Sequence, residues 1–138
     1  MFTSVRSRIA AAVALVLFAG VIVLALLVSE GPSKPENPVA TIQVVGETYK
    51  IELTTPENLQ IARDLLAGKK APSIPNGKVV RDEPGVNAPW SWHIDPATLE
   101  WADQTIEVCD GLPSYVEDLT VTSDYYCPWS AKVIAIDE

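Results

Sequence analysis

The feature that most constrains this chain is an uninterrupted run of 20 apolar residues from Ile9 to Val28. A helix of that length rises about 1.5 Å per residue and reaches about 30 Å, which is the thickness of a bilayer's hydrocarbon core. Arg6 and Arg8 precede the run and Glu30 follows it, so the positive-inside rule places residues 1–8 in the cytoplasm. We therefore expect residues 9–28 to form a transmembrane helix, a signal anchor that contacts membrane lipid, with the rest of the chain outside the cytoplasmic membrane.

A cleaved signal peptide is the alternative, and it would release the same domain as a secreted protein. Such peptides usually have an apolar core of only about 7–15 residues, which ends in a small-x-small cleavage site. The nearest such site, Ser29-Glu30-Gly31, is followed by Pro32, which fits poorly in the extended groove of a peptidase. Residues 29–38 hold three prolines among polar residues, which favours a spacer with polyproline II character.

The chain beyond the apolar run is acidic. From Gly31 onward, 17 Asp and Glu residues stand against 8 Lys and Arg residues, which leaves nine excess negative charges. Nucleic acids and anionic lipid head groups are bound by clustered basic residues, so neither is an expected partner of this part of the chain. A basic protein, a metal ion or a neutral ligand is compatible with the charge. Solubility of an exported surface explains the same acidity without a ligand.

Residues 39–138 are expected to form one α+β domain that begins with a hairpin. Apolar and polar residues alternate from Val39 to Leu53, which predicts two strands with one apolar face. A type II′ turn at Gly46-Glu47 would pair Val44 with Tyr49. The apolar face of such a hairpin needs a cover.

One main helix is expected to provide that cover. Thr55 and Pro56 are typical of a helix start, and Gly68 is typical of the residue that follows a helix. The predicted buried stripe comprises Leu59, Ala62, Leu65 and Leu66. Further strands are predicted at 78–82, 90–94, 105–109 and 131–136, with a helical turn at Asp95-Pro96 and a short helix at 113–118. The fold class is therefore α+β, a small mixed or antiparallel sheet of about five to six strands with one main helix, preceded by the transmembrane helix.

Cys109 and Cys127 are the only cysteines. Outside the cytoplasm a lone pair is expected to form a disulfide, and closing a loop of this size stabilises a fold by about 3 kcal/mol. A redox pair or a zinc site would usually show CxxC spacing, which is missing here, and His93 is the only histidine that could assist.

The segment from Trp90 to Asp95 holds residues that are able to bind a ligand. In a strand, alternation would place Trp90 and Trp92 on one side and His93 and Asp95 on the other. The last two could share a metal, pair with each other, or only support the fold, and the tryptophans are also explained as an aromatic core against the disulfide. The candidate binding face comprises Trp90, Trp92, His93, Asp95, Asp110 and Trp129.

The sequence contains no recognisable catalytic signature. GxSxG, P-loop, HExxH, GxGxxG and calcium-loop patterns are all missing. The expected function is a non-enzymatic, membrane-anchored module that binds a protein partner or a small ligand, with no cofactor and no metal site. Two alternatives stay open: a small metal-dependent or acid–base enzyme that uses His93 and Asp95, and a protease-inhibitor-like domain with an exposed loop between the cysteines.

Three segments carry a resemblance to a known family: WSWHIDP from Trp90, IEVCDGLPSYVE from Ile106 and YCPWS from Tyr126. They resemble those of a small cysteine-pair domain of bacterial exported proteins, and a similar unit begins a slime-mould developmental protein. With the upstream hairpin and helix, the resemblance covers most of residues 39–138. It implies a domain boundary near residue 39 and brings no catalytic residues with it.

Membrane fractionation tests the anchor. We expect the full 14.9 kDa chain to stay with the membrane after an alkaline carbonate wash. Leu17→Arg places a charge in the middle of the run, costs about 2.5–3.5 kcal/mol on insertion scales, and should release part of the chain, whereas Leu17→Ala should not. A shortened chain free in the medium would instead support signal-peptide cleavage.

Overall fold

The computed structural model describes residues 34–138. The predicted cytoplasmic segment, 1–8, the predicted transmembrane helix, 9–28, and the start of the spacer lie outside the described residues. Between residues 34 and 138, no helix is both long enough and apolar enough to cross a membrane. The described chain has the predicted α+β class, with antiparallel strand pairs and one main helix.

The first sheet has three antiparallel strands in the order β2-β1-β7. Its strands are β1 (Val39–Val44), β2 (Glu47–Glu52) and β7 (Ala131–Asp137). Strand β7 is the final strand that the sequence predicts at 131–136. Because β1 pairs on both sides, it is the central strand of this sheet, and its Ala40, Ile42 and Val44 are at most 2% exposed.

The hairpin of β1 and β2 has a different register from the predicted one. Val44 pairs with Glu47, so the two-residue turn is Val45-Gly46, with Val45 at a φ of 59°, and not Gly46-Glu47. Both neighbours of β1 pair with it as far as Val44, which fixes the turn directly after that residue. The predicted pairing of Val44 with Tyr49 is therefore wrong by two residues. A shift of two keeps every side chain on its side, so the predicted apolar face is the buried one.

The main helix, α1 (Pro56–Leu66), starts and ends where its capping residues predict. Thr55 Oγ1 accepts a hydrogen bond from the backbone N–H of Asn58 at 3.1 Å, and Gly68 has a φ of 76° just beyond the C-cap. The helix packs against β7. Leu66, which the predicted stripe included, is 44% exposed on the last turn.

The second sheet is organised around β3 (Ile74–Val80), which pairs with three short antiparallel strands. These are β4 (His93–Ile94), β5 (Glu100–Ala102) and β6 (Tyr125–Tyr126). The 3-10 turn Pro96–Thr98 separates β4 from β5, as the Asp95-Pro96 pattern predicts. At Gly77, a Cβ would overlap the side chain of Ile94, so only glycine allows β3 to approach this segment so closely.

Two predicted strands in this region have different bounds. The strand predicted at 78–82 begins earlier, at Ile74, because its first residues pair with β5. The strand predicted at 90–94 is reduced to β4, since the backbone N–H of Trp90 donates to the carbonyl of Asn87 at 3.1 Å and closes a turn there.

Residues 105–109 form no strand, although their apolar alternation predicts one. They end in the 3-10 turn Glu107–Cys109, in which the N–H of Asp110 donates to the carbonyl of Glu107 at 3.0 Å. The predicted short helix at 113–118 is present as α2 (Pro113–Glu117). The described chain thus has seven strands in two sheets, instead of five to six in one sheet.

Three aromatic rings join the two sheets. The ring centroid of Tyr49 in β2 lies 5.7 Å from that of Trp92 and 5.2 Å from that of Tyr126 in β6, and the last two are 5.5 Å apart. All three residues are at most 2% exposed. Aromatic pairs at such separations contribute about 0.5–1.5 kcal/mol each beyond the apolar area that they bury. Trp92 is therefore a core residue.

A buried asparagine connects β2 to the segment that carries Trp92. Asn87 is 1% exposed, its Oδ1 accepts a hydrogen bond from the Lys50 N–H at 2.8 Å, and its Nδ2 donates to the Trp92 carbonyl at 2.8 Å. The amide thus satisfies one donor and one acceptor of the backbone. Removing it would leave both groups desolvated, and that penalty exceeds the net value of the hydrogen bonds.

Asn87→Ala is expected to lower the free energy of unfolding by about 2–4 kcal/mol, because it leaves the Lys50 N–H and the Trp92 carbonyl without partners. Urea unfolding followed by tryptophan fluorescence measures the change. Gln60→Ala is the control, since its amide donates only to Asp64 on the exposed side of α1, and its cost should stay below about 0.5 kcal/mol. Equal stabilities of the two variants would refute the bracing role of Asn87.

Candidate functional site

A disulfide joins Cys109 to Cys127, as the sequence predicts. It connects the 3-10 turn Glu107–Cys109 to the residue that follows β6, and the N–H of Cys127 donates to the carbonyl of Cys109 at 2.7 Å. Ile74 packs with both cysteines in a small core of its own, separate from the main one. Because so few apolar side chains are buried here, the covalent bond supplies the stability that a larger core would otherwise provide.

Trp129 lies two residues beyond the disulfide and is held in place at two points. Its backbone N–H donates to Asp110 Oδ1 at 2.8 Å, and its indole Nε1–H donates to Thr105 Oγ1 at 2.7 Å. The residue is nevertheless 44% exposed. Since the indole N–H already has a partner, the exposed part of the side chain is apolar ring. A tryptophan that is fixed before binding loses little conformational entropy in a complex, which is typical of an interface anchor.

Two clefts open beside Trp129 and the disulfide. The narrow cleft has a volume of about 290 Å³, and the wide cleft has a volume of about 500 Å³. Gln104 and Thr105 line both clefts, so the two adjoin along these residues. The narrow cleft is further lined by Ile74, Asp103 and Trp129, and the wide cleft by Asn76, Glu100, Ala102, Ile106, Cys109, Ser123 and Tyr125.

Apolar side chains are exposed around the wide cleft. Ile106 is 69% exposed, Val108 is 66% exposed and Tyr125 is 43% exposed. Ile106 and Tyr125 line the cleft, and Val108 precedes its lining residue Cys109 in the 3-10 turn. Single exposed apolar residues are ordinary on protein surfaces, whereas a group of them beside a cleft marks a surface that binds another molecule.

The charge of the cleft walls is negative. Glu100 lines the wide cleft and Asp103 the narrow one, and among the described residues no Lys or Arg lines either. The negative charge also reaches the core next to the disulfide. Burial, and then the charges of Asp110 and Glu47, raise the pKa of Tyr126, so its phenol stays protonated.

The tryptophans of the predicted binding face have different environments. Trp92 belongs to the core described above. Trp90 is half-buried and donates its indole N–H to the carbonyl of Thr48 at 2.8 Å. Of the six predicted residues, Asp110 and Trp129 are the pair that the structure brings together beside the disulfide.

His93 and Asp95 each have a structural partner. His93 Nδ1 lies within hydrogen-bond distance of the Glu83 carbonyl, and its ring packs close to Gly85. Asp95 Oδ1 accepts a hydrogen bond from the Ala97 N–H at 3.0 Å and caps the 3-10 turn between β4 and β5. Neither residue lines the two clefts. In the described part of the chain, no three His, Cys, Asp or Glu side chains are grouped so that they could hold a metal ion.

The segment between the cysteines packs into the domain. It contains α2 and β6, and its Val116 and Val121 are at most 5% exposed. The guanidinium of Arg81 donates to the carbonyls of these two residues, at 2.7 and 3.0 Å. This packing gives no support to an exposed inhibitory loop between the cysteines.

Most cleft residues are not marked by any sequence motif. Gln104, Thr105 and Tyr125 are polar or aromatic residues in segments without periodicity. One signal is present, since Ile106 and Val108 are apolar residues that alternate next to Cys109. The alternation is the reason that a strand was predicted here, and the 3-10 turn instead leaves both side chains exposed.

The fold and the site together define a small, disulfide-bonded α+β domain with an exposed tryptophan beside two clefts. The family model described as the N-terminal domain of a slime-mould-type developmental protein matches residues 36–138, and the chain belongs to this family. The match agrees with the resemblance that the sequence shows to such a unit. No curated protein and no solved structure shows significant similarity to the chain.

Replacing both cysteines by serine is expected to lower the free energy of unfolding by about 3 kcal/mol, because the bridge closes a loop across a separation of 18 residues. Urea unfolding with and without reductant measures the effect. Reductant should bring the midpoint of the native chain to that of the Cys109→Ser/Cys127→Ser variant and leave the variant unchanged. A native midpoint that stays constant when the bridge is reduced would contradict this role.

Proposed function

We propose that this domain is a non-enzymatic interaction module, which residues 9–28 hold at the outer side of the cytoplasmic membrane. The observation that carries the proposal is Trp129, an exposed ring that is fixed through both its backbone and its indole beside two open clefts. The disulfide supports the extracytoplasmic location, because such bonds form and persist in oxidising compartments.

The chemistry of the cleft walls suits binding better than catalysis. Glu100 and Asp103 line different clefts, and no histidine is found among the described lining residues. Acid–base and nucleophilic catalysis need an activating base within hydrogen-bond reach of the group that it serves. The one hydrogen bond between side chains of the lining residues joins Trp129 to Thr105, and neither of these can act as such a base.

The exposed apolar rim can supply binding energy. Covering apolar surface is worth about 25 cal/mol per Å², and Ile106, Val108 and Tyr125 are each more than two-fifths exposed. The disulfide and the hydrogen bonds of Trp129 fix the backbone beneath this rim before a partner arrives. Pre-organisation of this kind lowers the entropic cost of association.

Photo-crosslinking in cells tests the proposal. A photoreactive phenylalanine at position 125 should form an adduct with a partner, whereas the same residue at position 134, where Ile134 is 40% exposed on β7, should not. Trp129→Ala should reduce the yield at position 125 about tenfold, the loss expected for a tryptophan anchor.

Tyr115→Ala is the matched control, because it removes another aromatic residue that is 42% exposed and lies outside both clefts. It should leave the yield at position 125 unchanged. Equal yields at positions 125 and 134, or a yield that is indifferent to Trp129→Ala, would refute the clefts as the binding surface.

A further inference from the structure

We infer that the two clefts bind a basic segment of a polypeptide, whose lysine or arginine side chains enter between the acidic and aromatic walls. The inference rests on the proposed function and names the chemistry of the partner. Three features carry it: the hydrogen-bonding groups that the walls offer, the exposed aromatic rings, and the charge of the domain around them.

The walls offer acceptors that have no partner of their own. Oδ1 of Asn76, in the wall of the wide cleft, is buried and makes no hydrogen bond within the described chain. Glu100 is the cross-strand neighbour of Asn76, and Asp103 follows in the narrow cleft. Neither carboxylate forms a salt bridge with a residue between 34 and 138. Ammonium and guanidinium groups carry donors only, so they complement such walls.

The exposed rings suit the same side chains. Trp129 and Tyr125 are 44% and 43% exposed, one in each cleft. A cation within about 6 Å of an aromatic centroid gains about 0.5–1 kcal/mol at an exposed site. The long aliphatic stems of lysine and arginine can in turn cover apolar surface such as that of Ile106 while their charged ends stay near the carboxylates.

The overall charge favours a basic polypeptide over other partners. Nine excess negative charges attract a basic chain and repel nucleic acid and anionic lipid. A free amine would fill one cleft at most. An extended polypeptide, with a residue about every 3.3 Å, can place side chains in both, because the clefts adjoin along Gln104 and Thr105.

Fluorescence anisotropy of labelled peptides tests the inference, with the full-length chain in non-ionic detergent micelles. The probe is a short capped peptide in which arginine alternates with alanine. Its matched control carries citrulline in place of arginine, which keeps the shape of the side chain and removes its charge. At physiological salt, we expect the arginine peptide to bind about tenfold more tightly than the citrulline peptide.

Substitutions locate the interaction. Glu100→Gln together with Asp103→Asn should weaken the arginine peptide about tenfold and leave the citrulline peptide unchanged. The control pair, Glu36→Gln with Asp137→Asn, removes the same two charges at exposed positions outside the clefts, and should change the Kd by less than about twofold.

The outcomes separate this inference from the proposed function. Equal binding of the two peptides, both weakened by Trp129→Ala, would overturn the choice of a basic partner and leave the binding module standing. Equal losses in the cleft pair and the control pair would show attraction by net charge alone, which also overturns it. So would the failure of both peptides to bind, while crosslinking at position 125 decides the proposed function independently.

Discussion

The contact among Tyr49, Trp92 and Tyr126 is the interaction on which the rest of the structure depends. Neither sheet is large enough to be stable alone, since one has three strands and the other is a single long strand with three very short partners. The rings come from β2, from the residue before β4 and from β6, so their contact holds both sheets at once. Cys127 follows Tyr126 directly, and the aromatic core therefore also fixes one end of the disulfide.

The parts of the fold that the sequence predicts are those decided by near neighbours. The N-cap of α1 depends on Thr55 and a residue three positions later, and the buried side of the hairpin depends only on the period of two. The register is different in kind, because the pairing of β1 with β7, almost ninety residues away, fixes where the turn begins. The early start of β3 has the same origin, since Ile74 pairs with Ala102.

The candidate site divides along the same line. The disulfide follows from a count of two cysteines and an oxidising compartment, and Asp110 and Trp129 are correctly predicted to lie together because the bridge brings their neighbours into contact. The predicted alternation around His93 assumed a strand that the turn at Asn87 interrupts. The wide cleft arises only because β3 pairs with both β5 and β6, and no local pattern in the sequence specifies those pairings.

The disulfide also explains why apolar side chains can remain exposed around the clefts. A domain normally stabilises a segment by burying its apolar residues, and Ile106, Val108 and Trp129 would then be unavailable to a partner. Here the covalent bond reduces the entropy of the unfolded chain, so the segment is held while these side chains stay at the surface. The stability of the cleft walls is thereby tied to the compartment, because a reducing environment would remove the bond that replaces their burial. Export and binding are, on this argument, two requirements met by the same pair of cysteines.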